Sequence, residues 1–273
     1  SNWVKEMYVR DGINGDIIEV LPVGCDTDAF IPCNKDDPKI LAVRESLGVS
    51  PDQIMILTVG GDAASKGAHE VMQALAIIDT KAPDWKYVCK VWPQPRTKFQ
   101  NLDDLELATH LGIEKNVTYT TSIISRNFMP YLIGACDIYA APSRLEGFGM
   151  PQVEAGACGK PVVGIKAMGM LDTLVHGKTA FLANVAQKIV VNEVILGDES
   201  GFEDEHRVVF KNPRIVDYRA SVHDIANYLM DLMTDASLRE KMGKAARERV
   251  VEYFDYRVVA KRFVQIINDK LGI

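Results

Sequence analysis

The chain lacks every cysteine spacing that would make a redox or zinc motif. Its five cysteines are Cys25, Cys33, Cys89, Cys136 and Cys158, and no two form a Cys-x-x-Cys pair. Cys89, Cys136 and Cys158 lie in apolar runs, where cysteine serves as a small buried hydrophobe. Inert thiols in a reducing, cytoplasmic compartment are the reading that follows. The five histidines (His69, His110, His176, His206, His223) show no ligand spacing, so no metal site is expected. No run of about 18 apolar residues occurs, so no membrane span is predicted. The first six residues, Ser-Asn-Trp-Val-Lys-Glu, hold no apolar signal core. Basic residues are scattered: 31 Lys and Arg stand against 37 Asp and Glu, for a net charge of −6. That balance argues against nucleic acid and against an anionic membrane surface as partners. Internal repeats and low-complexity segments are absent. The loop at 60–67 is neither a P-loop, because Lys66 precedes Gly67 and the Gly-Lys-Ser/Thr order is absent there, nor a G-x-G-x-x-G fingerprint.

What is present is an ordinary globular composition, 273 residues with 47% hydrophobic and 25% charged, enough for one large domain or two small ones. Strand-like apolar runs at 54–59, 86–92, 116–121, 137–141 and 161–165 alternate with helix-like runs at 67–78, 102–111 and 127–135 and a further helix after residue 149. This rhythm predicts an α/β domain, a Rossmann-like parallel sheet with helices on both faces. Ligands of such sheets sit outside the carboxyl ends of the strands. The rhythm breaks after Leu182. Two β-like runs, 189–196 and 207–218, flank an acidic turn at 197–205 and read as a hairpin inserted at about 184–219. Capping-box patterns at Ser221 to Asp224 and Ser237 to Glu240 then start two helices, and a last helix covers about 256–270. Residues 1–40 are rich in turn signals, with one strand at 17–21, and read as a lead-in and linker to a domain at 41–273.

The most informative stretch is EGFGMPQVEAGACGKPVVG, from Glu146 to Gly164. A strand runs into a glycine loop, then a helix begins with Pro151 near its start and ends at Gly159. A glycine loop entering a helix leaves backbone N–H groups unpaired at the positive end of the helix dipole, which suits a phosphate. Glu146 and Glu154, on either side, suit hydroxyl groups instead. Phosphate flanked by hydroxyls describes a nucleotide sugar.

Four segments in order extend the pattern: LPVGCDTDAFIP from Leu21, LTVGGDAASKGAHEVMQAL from Leu57, APSRLEGFGMPQVEAGACGKPVV from Ala141 and LDTLVHGKTAFL from Leu171. Together they resemble the C-terminal, donor-binding half of GT-B retaining glycosyltransferases of the glycogen-synthase-like family (glycosyltransferase group 1, family 4). The resemblance covers roughly residues 15–183. It implies that an acceptor-binding N-terminal GT-B domain is missing here, and any peripheral membrane contact is assigned to that half.

The resemblance also implies roles. Glu146 is the catalytic candidate, bonding donor-sugar hydroxyls near the reacting carbon. Glu154 holds the ribose hydroxyls, and Lys66 binds the diphosphate and neutralises the leaving group. The amides of Gly147, Phe148, Gly149 and Met150 face diphosphate or sugar, with Gly61, Met170 and Leu171 as further donor contacts. Ile123 lies on a loop that faces the base. Each has a plainer alternative: a carboxylate favoured by the dipole, glycines that only permit a turn, an exposed loop lysine. The sequence departs from the family pattern at three places. Gly60 and Gly61 stand where Gly-Arg is frequent, with Arg144 or Arg96 as candidate replacements. Lys90, Val91 and Trp92 replace a glycine after the second strand, and Asp172 replaces a glutamate. The implied function is retaining transfer of a sugar from a nucleoside diphosphate sugar to an unknown acceptor, with no metal or cofactor. The alternative is a non-catalytic nucleotide-sugar-binding or assembly module of the same fold, motivated by the missing arginine and the acidic insert.

Overall fold

The computed structural model describes residues 1–93, 95–197 and 204–272. Six strands form one sheet: β1 (Ile54–Val59), β2 (Trp85–Lys90), β3 (Val117–Thr120), β4 (Ile138–Ala140), β5 (Val162–Ile165) and β6 (Ala180–Ala183). All pairs are parallel, in the order β3-β2-β1-β4-β5-β6. The strands are continuous apolar runs because helices cover both faces. Met55, Ile56, Leu57, Tyr87, Val88, Tyr139, Val162 and Val163 are fully buried. Two antiparallel strands, β7 (Val185–Leu196) and β8 (His206–Ala220), form a separate hairpin. Of the acidic turn between them, residues 198–203 lie outside the described residues.

Ten α-helices surround the sheet among the described residues: α1 (Asn2–Arg10), α2 (Pro38–Ser46), α3 (Ala68–Ile78), α4 (Pro95–His110), α5 (Met129–Ala135), α6 (Met150–Ala157), α7 (Met170–Thr173), α8 (Val222–Thr234), α9 (Ala236–Tyr253) and α10 (Tyr256–Leu271). α3 packs on α8, α6 on α9 and α2 on α5. No helix among the described residues is long and apolar enough to cross a membrane.

The first forty residues differ from expectation. The strand read at 17–21 does not form. A 3-10 turn at Gly15–Ile17 gives way to an unpaired extended segment, one of whose carbonyls, on Ile18, accepts from Lys5 Nζ at 2.8 Å. The sheet order, β3-β2-β1-β4-β5-β6, does not include this apolar run. Two helices stand in this lead-in where none was expected. α1 is capped by Ser1, and α2 has Asp37 as its cap and Pro38 in its first turn, so α2 straddles the 40/41 boundary. Arg44 of α2 donates to Asp137 Oδ2 at 3.1 Å, and Asp137 also accepts from the Met55 amide at 2.9 Å. Cys25 and Phe30 belong to the core. Near the other end, α9 is capped by Asp235 rather than by Ser237. Asp235 Oδ1 accepts from the Leu238 amide, which leaves Ser237 inside the first turn.

Candidate functional site

In this sheet the connections leave β1 and β4 in opposite directions, so the loops beyond their carboxyl ends part and open a crevice. The loop after β1 carries Lys66 and the loop after β4 carries Glu146. Although 80 residues apart in the chain, Lys66 Nζ donates to Glu146 Oε2 at 2.7 Å. The side chains keep 20% and 15% exposure, so the pair sits in the crevice wall within reach of solvent. Gly60 makes the contact possible, since a Cβ there would come within 2.6 Å of the Lys66 stem. Gly61 lies under the Trp92 ring and accepts from the Trp92 amide at 3.1 Å.

The glycine loop is shaped by close backbone approach. Gly149 is left-handed, with φ of 90°, and caps α6 without a side chain. A Cβ on Gly169 would overlap the Gly147 carbonyl oxygen, and the Gly169 amide donates to Glu146 O at 3.2 Å. One expectation is corrected here. The amides of Phe148 and Gly149 do not point outward; they donate to Glu146 Oε1 at 3.4 and 3.1 Å. The positive helix end already faces a carboxylate, the charge that it favours. Among the described residues the amides of Gly147 and Met150 have no partner. At the start of α7, Met170 is fully buried, and the Leu171 amide is taken by Met168 O at 3.2 Å. Leu171 therefore offers no free amide, while the Met170 amide has no partner among the described residues. Ile123, on the loop after β3, is 86% exposed.

Glu154 lies just over one turn into α6 and is partly buried. Its carboxyl group makes no hydrogen bond or ion pair with the described residues. Burial pushes its carboxyl up to about 7, and the charge of Arg126 opposes that rise only in part. Tyr139, fully buried on β4, has its hydroxyl raised by burial and by the charges of both Glu154 and Glu146. Both carboxylates therefore lie within electrostatic range of one ring.

Sequence reasoning missed two sets of contacts. Arg144 is not free to replace an arginine after β1. It pairs with Glu70 of α3 at 3.1 Å, and Arg219 of β8 joins the same carboxylate at 3.3 Å. The Arg96 side chain lies outside the described residues. Asp172 accepts from the Asn2 amide at 2.6 Å and from its side chain at 2.9 Å, while Ser1 Oγ donates to the Gly147 carbonyl. The start of α1 is thus tied to the glycine loop. Its one sequence signal was Ser1 as a helix cap.

A D-inositol 3-phosphate glycosyltransferase of Rhodococcus erythropolis is 29% identical over 184 residues, 67% of this chain and 40% of that protein. The chain thus spans about two-fifths of that relative's length. Among solved structures, Anabaena Alr3699/HepE in complex with UDP and glucose superposes with a TM-score of 0.75 at 20% identity, over 97% of this chain and 60% of that one. The C-terminal domain of a glycosyl transferase group 1 family protein (LpcC) of Francisella tularensis has a TM-score of 0.63 at 22% identity, over 85% of this chain and 99% of that one. These likenesses bear on the fold, the Rossmann-like half of a GT-B architecture. The family model for glycosyl transferases group 1 matches residues 40–196, more than half of the sequence, and the chain belongs to that family.

Proposed function

We propose that the chain is the donor half of a retaining glycosyltransferase, binding a nucleoside diphosphate sugar for transfer to an acceptor held by a second GT-B domain. The observation that carries the reading is the Lys66–Glu146 pair at the mouth of α6, where the strand order reverses. A diphosphate entering there competes with Glu146 for Lys66 and for the amides of Phe148 and Gly149. Once displaced from those partners, Glu146 can accept hydrogen bonds from sugar hydroxyls beside the positive charge that builds at the reacting carbon. Lys66 and the helix end then offset charge on the departing diphosphate, a preorganised effect that commonly supplies the largest share of catalysis. Attack comes from the face that the diphosphate leaves, which keeps the anomeric configuration. The reading assigns no metal ion or cofactor to these steps.

Glu154, with no partner of its own, is assigned to the ribose hydroxyls. Donor binding is supported by the solved neighbour named with UDP and glucose, and a second domain by the two-fifths coverage of the inositol phosphate enzyme. Five unpaired thiols support a cytoplasmic setting. The test is calorimetric titration of the chain with UDP-, GDP- and ADP-sugars. Binding of at least one is expected, with no transfer until the second domain is supplied. Failure of all three to bind contradicts the reading.

A further inference from the structure

Lys90 ends β2 with only 6% of its surface exposed. No hydrogen bond or ion pair reaches its ammonium from the described residues. The nitrogen is not sealed, because among the described residues the buried side-chain nitrogen and oxygen atoms without a partner are Gln152 Oε1 and Asp217 Oδ1. The stem is therefore covered, and the nitrogen, at the carboxyl end of the sheet, keeps a small exposure. Burial alone holds the ammonium below the ordinary lysine value.

The register places this cation. Lys90 is level with Val59 on β1 and Thr120 on β3, and partners in a parallel pair share a face. Leu57, two residues before Val59, is level with Tyr139, whose hydroxyl lies against Val59. Lys90 thus shares the face of Tyr139, the ring within range of both Glu146 and Glu154. The Lys90 carbonyl accepts from the Gly60 amide at 3.0 Å, so the residue borders the loop that carries Lys66. Of the cations that these loops and strand ends bring to the crevice, Lys66 is offset by Glu146 and Arg144 by Glu70. Lys90 has no such carboxylate among the described residues. A desolvated cation without a partner is costly to maintain, and a dianionic ligand removes that cost.

We propose that Lys90 is a binding residue for the donor's diphosphate, contacting a phosphate oxygen from the β2 side while Lys66 contacts it from the β1 side. This assignment rests on the donor-site reading and adds a residue to it. The test compares the wild-type chain with Lys90→Met, a substitution that keeps the buried stem and removes the charge. Calorimetry measures UDP, GDP and the matching nucleosides, and thermal unfolding measures the unliganded proteins. Diphosphate affinity falls about tenfold or more in Lys90→Met, as for loss of one charge-assisted hydrogen bond. Nucleoside affinity is unchanged, and the unliganded variant melts at the same temperature or higher. A merely structural lysine would give the opposite melting shift and no difference between diphosphate and nucleoside. Equal UDP and GDP affinities in the two proteins overturn the assignment. An equal loss for nucleoside and diphosphate overturns it too, by moving the contact to the base. Absence of nucleotide binding by the wild-type chain overturns the donor-site reading and this assignment together.

Discussion

Glu154 carries a carboxyl group with nothing to bind among the described residues, raised to about 7 by burial with Arg126 opposing. Its folded value lies above its unfolded one, so the folded chain holds a proton there that the unfolded chain releases. The stability from this group is full below its ordinary carboxylate value and is lost as pH rises through about 7. If ribose hydroxyls donate to Glu154, they favour the charged form, and binding expels the proton. Titration of the chain with UDP-glucose near pH 6, in two buffers of different ionisation enthalpy, is expected to show release approaching one proton. Glu154→Gln is expected to abolish the release and to weaken binding by about 1–3 kcal/mol. No proton release from the wild-type chain would remove Glu154 from the ribose site. Lys66 and Glu146 were legible as separate candidates, because each sits in a motif. Their pairing was not, since it depends on β1 and β4 being neighbours in the sheet. Lys90 was read only as a departure from a pattern, because nothing in a sequence shows that a lysine is buried without a partner.

Elements are held together by glycines where backbones nearly touch. Gly159, just past the end of α6, has φ of 70°, and a Cβ on Gly243 of α9 would overlap the Gly159 carbonyl oxygen. Gly243→Ala must separate the two helices, at a cost of about 3 kcal/mol. Its melting temperature is expected to fall by several degrees, and an unchanged value would contradict this packing. The apolar rhythm revealed β1 with its bounds and the order of strands and helices, since buried parallel strands are continuous apolar runs. It failed where local signals conflict with tertiary context. The run at 17–21 has strand-forming residues and lies outside the sheet order. Pro38 was read as a turn when, next to Asp37, it starts a helix. Ser237 matches a capping box, yet Asp235 begins α9 two residues earlier.

Across the whole molecule, Glu70 joins three parts: α3, the loop after β4 through Arg144, and the hairpin through Arg219. The Tyr218 amide also donates to the Arg144 carbonyl at 2.8 Å. Glu70→Ala leaves two arginines without their shared partner. It is expected to cost about 3–5 kcal/mol, read as a lower denaturation midpoint; a midpoint like that of the wild type would show that the hairpin is not anchored there. The fold was legible in the sequence because the βα rhythm and the paired-glutamate segment point to the same architecture. How α1, the hairpin and the glycine loop meet was not, because each contact joins segments distant in the chain. The central claim is that a diphosphate lies at the mouth of α6 between Lys66 and the glycine loop, with the ribose at Glu154. A crystal structure of the chain with UDP tests it most directly. The account predicts phosphate oxygens within hydrogen-bond distance of Lys66 Nζ and ribose hydroxyls on the Glu154 carboxylate, with the Lys66–Glu146 contact opened. UDP bound elsewhere, or with its ribose away from Glu154, would contradict it.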